Sequence, residues 1–329
     1  MMDKFRTLVD IPGSPDKISY HSKCLFMGSC FADNIGECMA AYKFPVLLNP
    51  FGTLFNPSSM AENLNILIQG KEFSAGELVC HDGLWFSFNH YTAFAHPHLA
   101  ICLSAINKSL SDASSWLKQC SYLLLTFGTA WIYIYNKTGK LVANCHKIPA
   151  VEFTRKLLEP RDIIESYDTL LNELSNFCPG IRIIFTVSPV RHWKDGAVNN
   201  QLSKSILHYS IQELLKLHKN TTYFPAYEIF MDELRDYRFY ANDMLHPSDQ
   251  GTSYVWERFI ETWMDESTKK PMAGVKAILK AVTHRPLHTE TLNHKKFIHN
   301  TLKQIEQLTG LYPFLDFSKE IDMLRLHST

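Results

Sequence analysis

Short apolar runs alternate with longer segments of helical periodicity over most of this chain, and this alternation restricts the folds that it can adopt. The runs at 25–27, 122–127 and 181–187 predict short buried strands. Between them, apolar side chains recur at helical spacing, for example from Ile163 to Phe177. Strands that alternate with helices favour a parallel, doubly wound sheet, so we predict an α/β fold.

Two pairs of β-prone runs interrupt this alternation. His81-Asp82-Gly83 separates the runs of the first pair and carries the Asp-Gly signal of a tight turn. Residues 136–139 separate the runs of the second pair in the same way. We interpret both pairs as hairpins inserted into the α/β domain.

The last part of the chain differs in composition from the rest. Helices are predicted over 227–234 and 249–263, and from Ser267 onward Lys and Arg outnumber Asp and Glu without any strand pattern. The apolar positions at helical spacing in this last part are Ile298, Leu302 and Ile305. We therefore predict a main domain over 1–265 and a helical extension over 266–329.

Two polar motifs, one near each end of the predicted main domain, could carry chemistry. Gly28-Ser29 follows the first strand, so Ser29 would lie at the carboxyl edge of the sheet, where open α/β folds bind ligands. Asp243 stands three residues before His246, a spacing that allows it to hydrogen-bond the imidazole. A serine nucleophile needs a base, and the base needs an orienting group. We predict that Ser29 is the nucleophile, His246 the base and Asp243 the residue that orients it.

Other roles for these residues stay open at this point. Ser29 could serve only as the N-cap of the following helix, and Asp243 and His246 could form a structural pair. Cys30 is a rival nucleophile, because a thiolate is more reactive than a serine hydroxyl. Against this, the residue after a nucleophile usually lends its backbone N–H to the oxyanion and turns its side chain into the helix.

The motifs at 28–32, reading GSCFA, and at 243–247, reading DMLHP, resemble conserved blocks of the GSCFA-domain family, which is related to the SGNH/GDSL hydrolases. Four further segments resemble that family, at 127–130, 142–147, 188–192 and 232–240, and the resemblance extends from about residue 5 to about 263. It implies an SGNH-hydrolase-like three-layer α/β/α sandwich with a mostly parallel sheet, hairpin insertions and a C-terminal helical tail.

The resemblance also implies an activity. It points to a serine esterase that removes an acyl group, such as acetyl, from a carbohydrate or similar polar ester, without a cofactor. The same residues would serve an O-acyltransferase. The family position of the oxyanion-hole Asn of SGNH enzymes is occupied by Thr129, and this departure leaves open a non-catalytic glycan- or protein-binding role.

Further site residues follow from the resemblance and from the ends of the predicted strands. The predicted oxyanion hole consists of Ser29, Gly52 and Thr129. The residues predicted to bind substrate are Asn144, His146, Arg191 and His192. A guanidinium at the edge of the sheet suits an anionic or carboxylate-bearing substrate, although Arg191 could equally form a structural ion pair.

Charge and cysteine content exclude several classes of function. The chain has 33 basic and 33 acidic residues, so no strong basic field draws it to nucleic acid or to an anionic membrane. Its first residues show no apolar leader segment and no apolar run reaches the length of a membrane span, so we expect neither a signal peptide nor a membrane-spanning helix. Its eight cysteines include no C-x-x-C pair, which argues against a zinc site and a disulfide framework. We expect a cytoplasmic protein without a bound metal that acts on a small-molecule or glycan ester, and a homo-oligomer stays open.

Overall fold

A computed structural model describes residues 6–284 and 291–326. The strands are β1 (Cys24–Gly28), β2 (Val46–Leu48), β3 (Val79–His81), β4 (Leu84–Phe86), β5 (Tyr122–Phe127), β6 (Trp131–Tyr135), β7 (Lys140–Val142), β8 (Phe153–Leu157), β9 (Arg182–Val187) and β10 (Thr221–Tyr223). The helices are α1 (Cys30–Ala41), α2 (Pro57–Gln69), α3 (Leu99–Leu117), α4 (Pro160–Phe177), α5 (Ala197–Leu217), the single turn α6 (Ala226–Glu228), α7 (Asp249–Trp263), α8 (Glu266–Val282), α9 (Leu292–Leu311) and α10 (Ser318–Leu326).

The central sheet has five parallel strands in the order β10-β9-β5-β1-β2. In register, Leu25 of β1 lies beside Leu47 on one side and Leu123 on the other. The order of strands reverses between β1 and β5, so the connections leave these two strands in opposite directions. Such a reversal opens a crevice at the carboxyl ends of the two strands.

Helices cover both faces of this sheet. One apolar core packs α2, α3, α4 and α5 against one face, and a second packs α1, α7, α8 and α9 against the other. Every side chain of β1 and β5 is buried, as expected for parallel strands that are covered on both sides. The predicted three-layer α/β/α sandwich with its mostly parallel sheet is therefore confirmed.

Both predicted hairpins are present, as β3–β4 and β6–β7. The structure adds β8, which pairs antiparallel with β6 and for which the sequence analysis predicts no strand. Only Phe153 of β8 is buried, so the segment lacks the apolar alternation that predicts a strand. The helix predicted over 227–234 is also different, because after α6 the chain forms a π-helical turn over Ile229–Glu233.

The C-terminal helices pack on the face that carries α1. Ile298 and Ile305 are buried, whereas Leu302 is only partly buried. Lys43 pairs with Glu320 of α10 at 2.6 Å (Nζ to Oε1), which joins the extension to the main domain. The predicted helical tail is confirmed, and the domain boundary near 265 stays a prediction.

Within residues 6–284 and 291–326, no helix combines the length and the apolarity needed to cross a membrane. The prediction about an N-terminal leader concerns, in part, residues 1–5, which lie outside the described residues.

Candidate active site

Ser29 lies in the turn between β1 and α1, at the point where the strand order reverses. A Cβ on Gly28 would lie 2.4 Å from the Thr126 carbonyl oxygen, so the close approach of β1 and β5 requires glycine there. Ser29 occupies the N-cap position of α1, but its side chain makes no capping hydrogen bond. Its hydroxyl is buried and has no hydrogen-bond partner among the described residues. Helix capping therefore does not explain the serine.

The Ser29 turn is held in place by the loop that follows β2. The Asn49 Oδ1 atom accepts a hydrogen bond from the Gly28 N–H at 2.8 Å, and its Nδ2 donates to Asp33 Oδ1 at 2.6 Å. The Leu54 N–H donates to the Gly28 carbonyl at 2.8 Å. Burial raises the pKa of Asp33, while its hydrogen bonds from Asn49 and Thr53 oppose that shift. Asn49 and Asp33 are positioning residues that the sequence analysis missed, although Asp33 lies one turn after Ser29.

Cys30, the rival nucleophile, lies at the first position of α1. Burial raises the pKa of its thiol, and the charge of Asp33 raises it further. The thiolate is therefore disfavoured at neutral pH, which weakens the case for Cys30 as the nucleophile.

Asp243 and His246 lie in the loop before α7 and contact each other directly. The Asp243 carboxylate accepts hydrogen bonds from the Leu245 and His246 N–H groups, both at 2.9 Å, and lies 2.6 Å from His246 Nδ1. The two backbone hydrogen bonds, first that of His246, lower the pKa of Asp243 to about 2. An ionised carboxylate at Nδ1 favours the tautomer whose Nε2 nitrogen is free to accept a proton.

His192, in the segment that follows β9, lies beside the Ser29 turn. A Cβ built on Gly128 would be 3.4 Å from both the Ser29 Cβ and His192 Nε2, so both residues line the same face of Gly128. Burial lowers the pKa of His192 to about 4, and the charge of Lys204 adds to that effect. His192 is therefore neutral at neutral pH. The convergence of His246 with Ser29 stays a prediction.

Lys204 of α5 hydrogen-bonds to the backbone just after β5 and just after β9. Its buried Nζ donates to the Gly128 carbonyl at 2.7 Å and to the Ser188 carbonyl at 2.6 Å. Burial lowers its pKa to about 7, and the charge of Arg191 adds to that effect. Lys204 is not among the predicted site residues, although its helical spacing to the buried Leu207 and Ile211 puts it on the inner face of α5.

The groups predicted to form the oxyanion hole are hydrogen-bonded within the protein. The Gly52 N–H donates to Asn49 O at 2.7 Å, and the Thr129 N–H donates to Phe55 O at 2.8 Å. The Thr129 hydroxyl lies 3.1 Å from Ser203 Oγ and accepts from the Trp131 N–H at 3.2 Å. The Ser29 N–H has the longest of these backbone contacts, 3.3 Å to Thr126 O. This part of the site stays a prediction.

Asn144 and His146 form contacts that stabilise the hairpin region. The Asn144 Oδ1 atom accepts from the His146 N–H at 2.8 Å. The His146 ring stacks on Phe86 with centroids 3.9 Å apart, and its Nε2 lies 2.9 Å from the Ser87 carbonyl. Their predicted role in substrate binding stays a prediction.

A cavity of about 350 Å³ is lined in part by Asp243 and the two residues that follow it. Its lining also includes Arg191, Trp193, Tyr237 and Tyr240. The volume lies within the range of about 300–1,000 Å³ that is usual for small-molecule sites. Of the predicted substrate-binding residues, Arg191 is thus the one that lines a cavity next to the Asp243–His246 pair.

Comparison with known proteins identifies the family. The GSCFA family matches residues 23–259, and the C-terminal domain of GSCFA domain proteins matches residues 275–327. The chain belongs to the GSCFA family. No curated protein matches it in sequence.

Two solved structures are distantly similar. One is a protein from Streptococcus pneumonia provisionally assigned as a platelet activating factor, with 11% identity over 73% of this chain and 82% of that chain, and a TM-score of 0.37. The other is an acetyl xylan esterase from the rumen bacterium Butyrivibrio proteoclasticus, with 12% identity over 77% of this chain and 64% of that chain, and a TM-score of 0.32. At these scores, the fold assignment rests on the strand order and register of this chain.

Proposed function

We propose that this GSCFA protein is a serine esterase that removes an acyl group, such as acetyl, from a carbohydrate or similar polar ester. One observation carries the proposal, and it concerns the edge of the sheet where the strand order reverses. The Ser29 hydroxyl is buried there, makes no capping bond and has no hydrogen-bond partner in the part of the chain that the structure describes. A buried hydroxyl without a hydrogen bond lowers the free energy of unfolding. A serine at such a position is therefore better explained by function than by stability. The Asp243–His246 contact supplies a matching base.

The reaction would proceed through an acyl-serine. His246 Nε2 takes the proton of Ser29 while Oγ attacks the carbonyl carbon, and Asp243 stabilises the resulting imidazolium. As the tetrahedral intermediate collapses, the bond to the leaving alcohol breaks and His246 returns the proton to that alcohol. Water then attacks the acyl-serine with His246 again as base, which releases the carboxylic acid and restores Ser29.

Labelling with a fluorophosphonate probe tests the nucleophile, because the probe reacts with activated serines. We expect the wild type and Cys30→Ala to be labelled and Ser29→Ala to remain unlabelled. Ser188→Ala is a matched control, since Ser188 is a buried serine that follows β9. His246→Gln should reduce labelling strongly while leaving the fold intact by circular dichroism.

Turnover of acetylated sugars and of nitrophenyl acetate then separates the alternatives. Acyl transfer would appear as acylated product when a sugar acceptor competes with water. A specific observation also favours a non-catalytic binding protein, namely that the N–H groups of Gly52 and Thr129 are already hydrogen-bonded. Sugar binding without any labelling of Ser29 would establish that alternative and overturn the esterase.

A further inference from the structure

Arg191 differs from the other charged residues of the cavity beside Asp243. Its guanidinium forms no ion pair with any residue in 6–284 or 291–326, and its buried Nε has no hydrogen-bond partner there. The guanidinium forms a cation–π contact with the Trp193 ring, with its central carbon 5.5 Å from the ring centroid. Burial of a guanidinium nitrogen without a hydrogen-bond acceptor costs free energy. An anionic ligand in the cavity would supply that acceptor.

The acidic residues of the same cavity do not pair with Arg191. Asp236 pairs with Arg238 at 2.8 Å, and Asp243 is occupied by His246 and by two backbone N–H groups. The second arginine, Arg235, is already paired with Asp232 at 2.7 Å. Arg191 is therefore the cation of this cavity whose charge is left for a ligand.

The rim of the cavity is aromatic and open to solvent. Trp193 and Tyr237 are among the large apolar side chains that are mostly exposed, at 53% and 73%. Exposed rings that flank a cavity offer flat apolar faces to a ring-shaped ligand while their polar ends stay wet. The site thus combines one guanidinium that forms no ion pair among the described residues, that of Arg191, with two aromatic faces. It lies next to the base of the proposed esterase.

We propose that the substrate is an acylated sugar acid, with its carboxylate bound by Arg191 and its ring against Trp193 and Tyr237. The inference rests on the proposed esterase function and narrows its substrate class. A guanidinium binds a planar carboxylate through two parallel N–H donors, which would orient the sugar and present its ester towards Ser29 and His246.

The test compares two substrates that differ only in charge, O-acetylated glucuronic acid and O-acetylated glucuronamide. We expect the wild type to favour the acid in kcat/KM by about 10- to 100-fold, the range of a charge-assisted hydrogen-bonded pair. Arg191→Gln should remove this preference, so that the ratio of the two kcat/KM values falls to about one. Arg235→Gln is the matched control and should keep the preference, because Arg235 is already paired with Asp232. Trp193→Ala should weaken both substrates equally.

The outcomes distinguish this inference from the esterase itself. Equal turnover of acid and amide by a wild type that is labelled at Ser29 would overturn the sugar-acid inference and leave the esterase standing. Absence of labelling and of turnover would overturn the esterase. In that case, binding of unacylated glucuronic acid in preference to glucuronamide, lost in Arg191→Gln, would still support Arg191 as the anion site, and equal binding would reject it.

Discussion

Gly128 shows how little space separates the groups that could react. A methyl group there would lie 3.0 Å from the Phe55 carbonyl oxygen and 3.4 Å from both Ser29 and His192. We expect Gly128→Ala to lower kcat at least tenfold and to reduce the free energy of unfolding by about 1–3 kcal/mol, the usual cost of overpacking. Gly76→Ala is a matched control, because nothing lies within 4 Å of the added methyl group. Kinetics and thermal melts of the two variants, if indistinguishable, would contradict this account.

His192 is the neutral donor beside Ser29 and is expected to stabilise the oxyanion. The hydroxyl of Thr129, the residue predicted for this task, is engaged with Ser203 and Trp131. His192→Phe should therefore lower kcat by about 10²–10³-fold with little change in KM, as for loss of one oxyanion donor. His208→Phe provides the control, because His208 is also a half-buried histidine whose pKa burial lowers to about 4. An unchanged kcat in His192→Phe would contradict this role and leave the backbone N–H of Ser29 as the candidate donor to the oxyanion.

At the scale of elements, the loop after β2 acts as a brace for the site. Asn49→Ala removes the acceptor of the Gly28 N–H and a donor to the partly buried Asp33. We expect a loss of about 1–3 kcal/mol in the free energy of unfolding, because two polar groups lose their partner. Thr53→Val, which removes a weaker 3.3 Å contact to Asp33, should cost less. A double-mutant cycle between Asn49→Ala and Asp33→Ala should show coupling, and strict additivity would contradict the brace.

The elements that the sequence predicts well are those in which the order of apolar and polar residues matches the way the element is buried. β5 and α4 are recognisable because an uninterrupted apolar run and a complete helical stripe each match one type of burial. β8 carries mostly exposed side chains, and its strand conformation depends on pairing with β6. Tertiary pairing of this kind leaves no local signal.

The same distinction applies to the site. Ser29, Asp243 and His246 stand in short motifs, so their chemistry can be inferred before their positions are known. Lys204 and Asn49 act through contacts with backbone carbonyls and amides that are distant in sequence. The hydrogen bond from the Gly52 N–H to the Asn49 carbonyl likewise depends on the conformation of the loop after β2. These features become visible only in three dimensions.

The whole molecule buries several histidines in neutral form, which links its stability to acid. His90 is fully buried among Phe51, Phe73 and Phe94, neither ring nitrogen has a partner among the described residues, and burial lowers its pKa to about 3. Since the unfolded value is higher, near 6.5, the unfolded chain binds more protons between about pH 3 and 6.5. The free energy of unfolding must therefore fall as the pH falls through that window, by up to about 1.4 kcal/mol per pH unit for each such histidine.

His90→Leu tests this link, because leucine fills a similar volume and cannot bind a proton. We expect the variant to lose less stability than the wild type between pH 7 and pH 5, as measured by urea unfolding at both values. The exposed His299→Leu provides the comparison. A wild-type slope that persists in His90→Leu would assign the acid sensitivity to other groups, with His192 the next to test.

The loop that braces Ser29 also has a consequence for the exchange of amide protons with solvent. It holds the Gly28 N–H through Asn49, contributes the Leu54 N–H to Gly28, and accepts the N–H groups of Gly128 and Thr129 at Phe55. These four amides belong to three separate segments, yet none can open while the loop stays in place. They should exchange with deuterium at similar rates, as one cooperative unit, and Asn49→Ala should accelerate all four together. Independent rates would mean that the two sides of the crevice open separately, so a ligand could enter without displacing the loop.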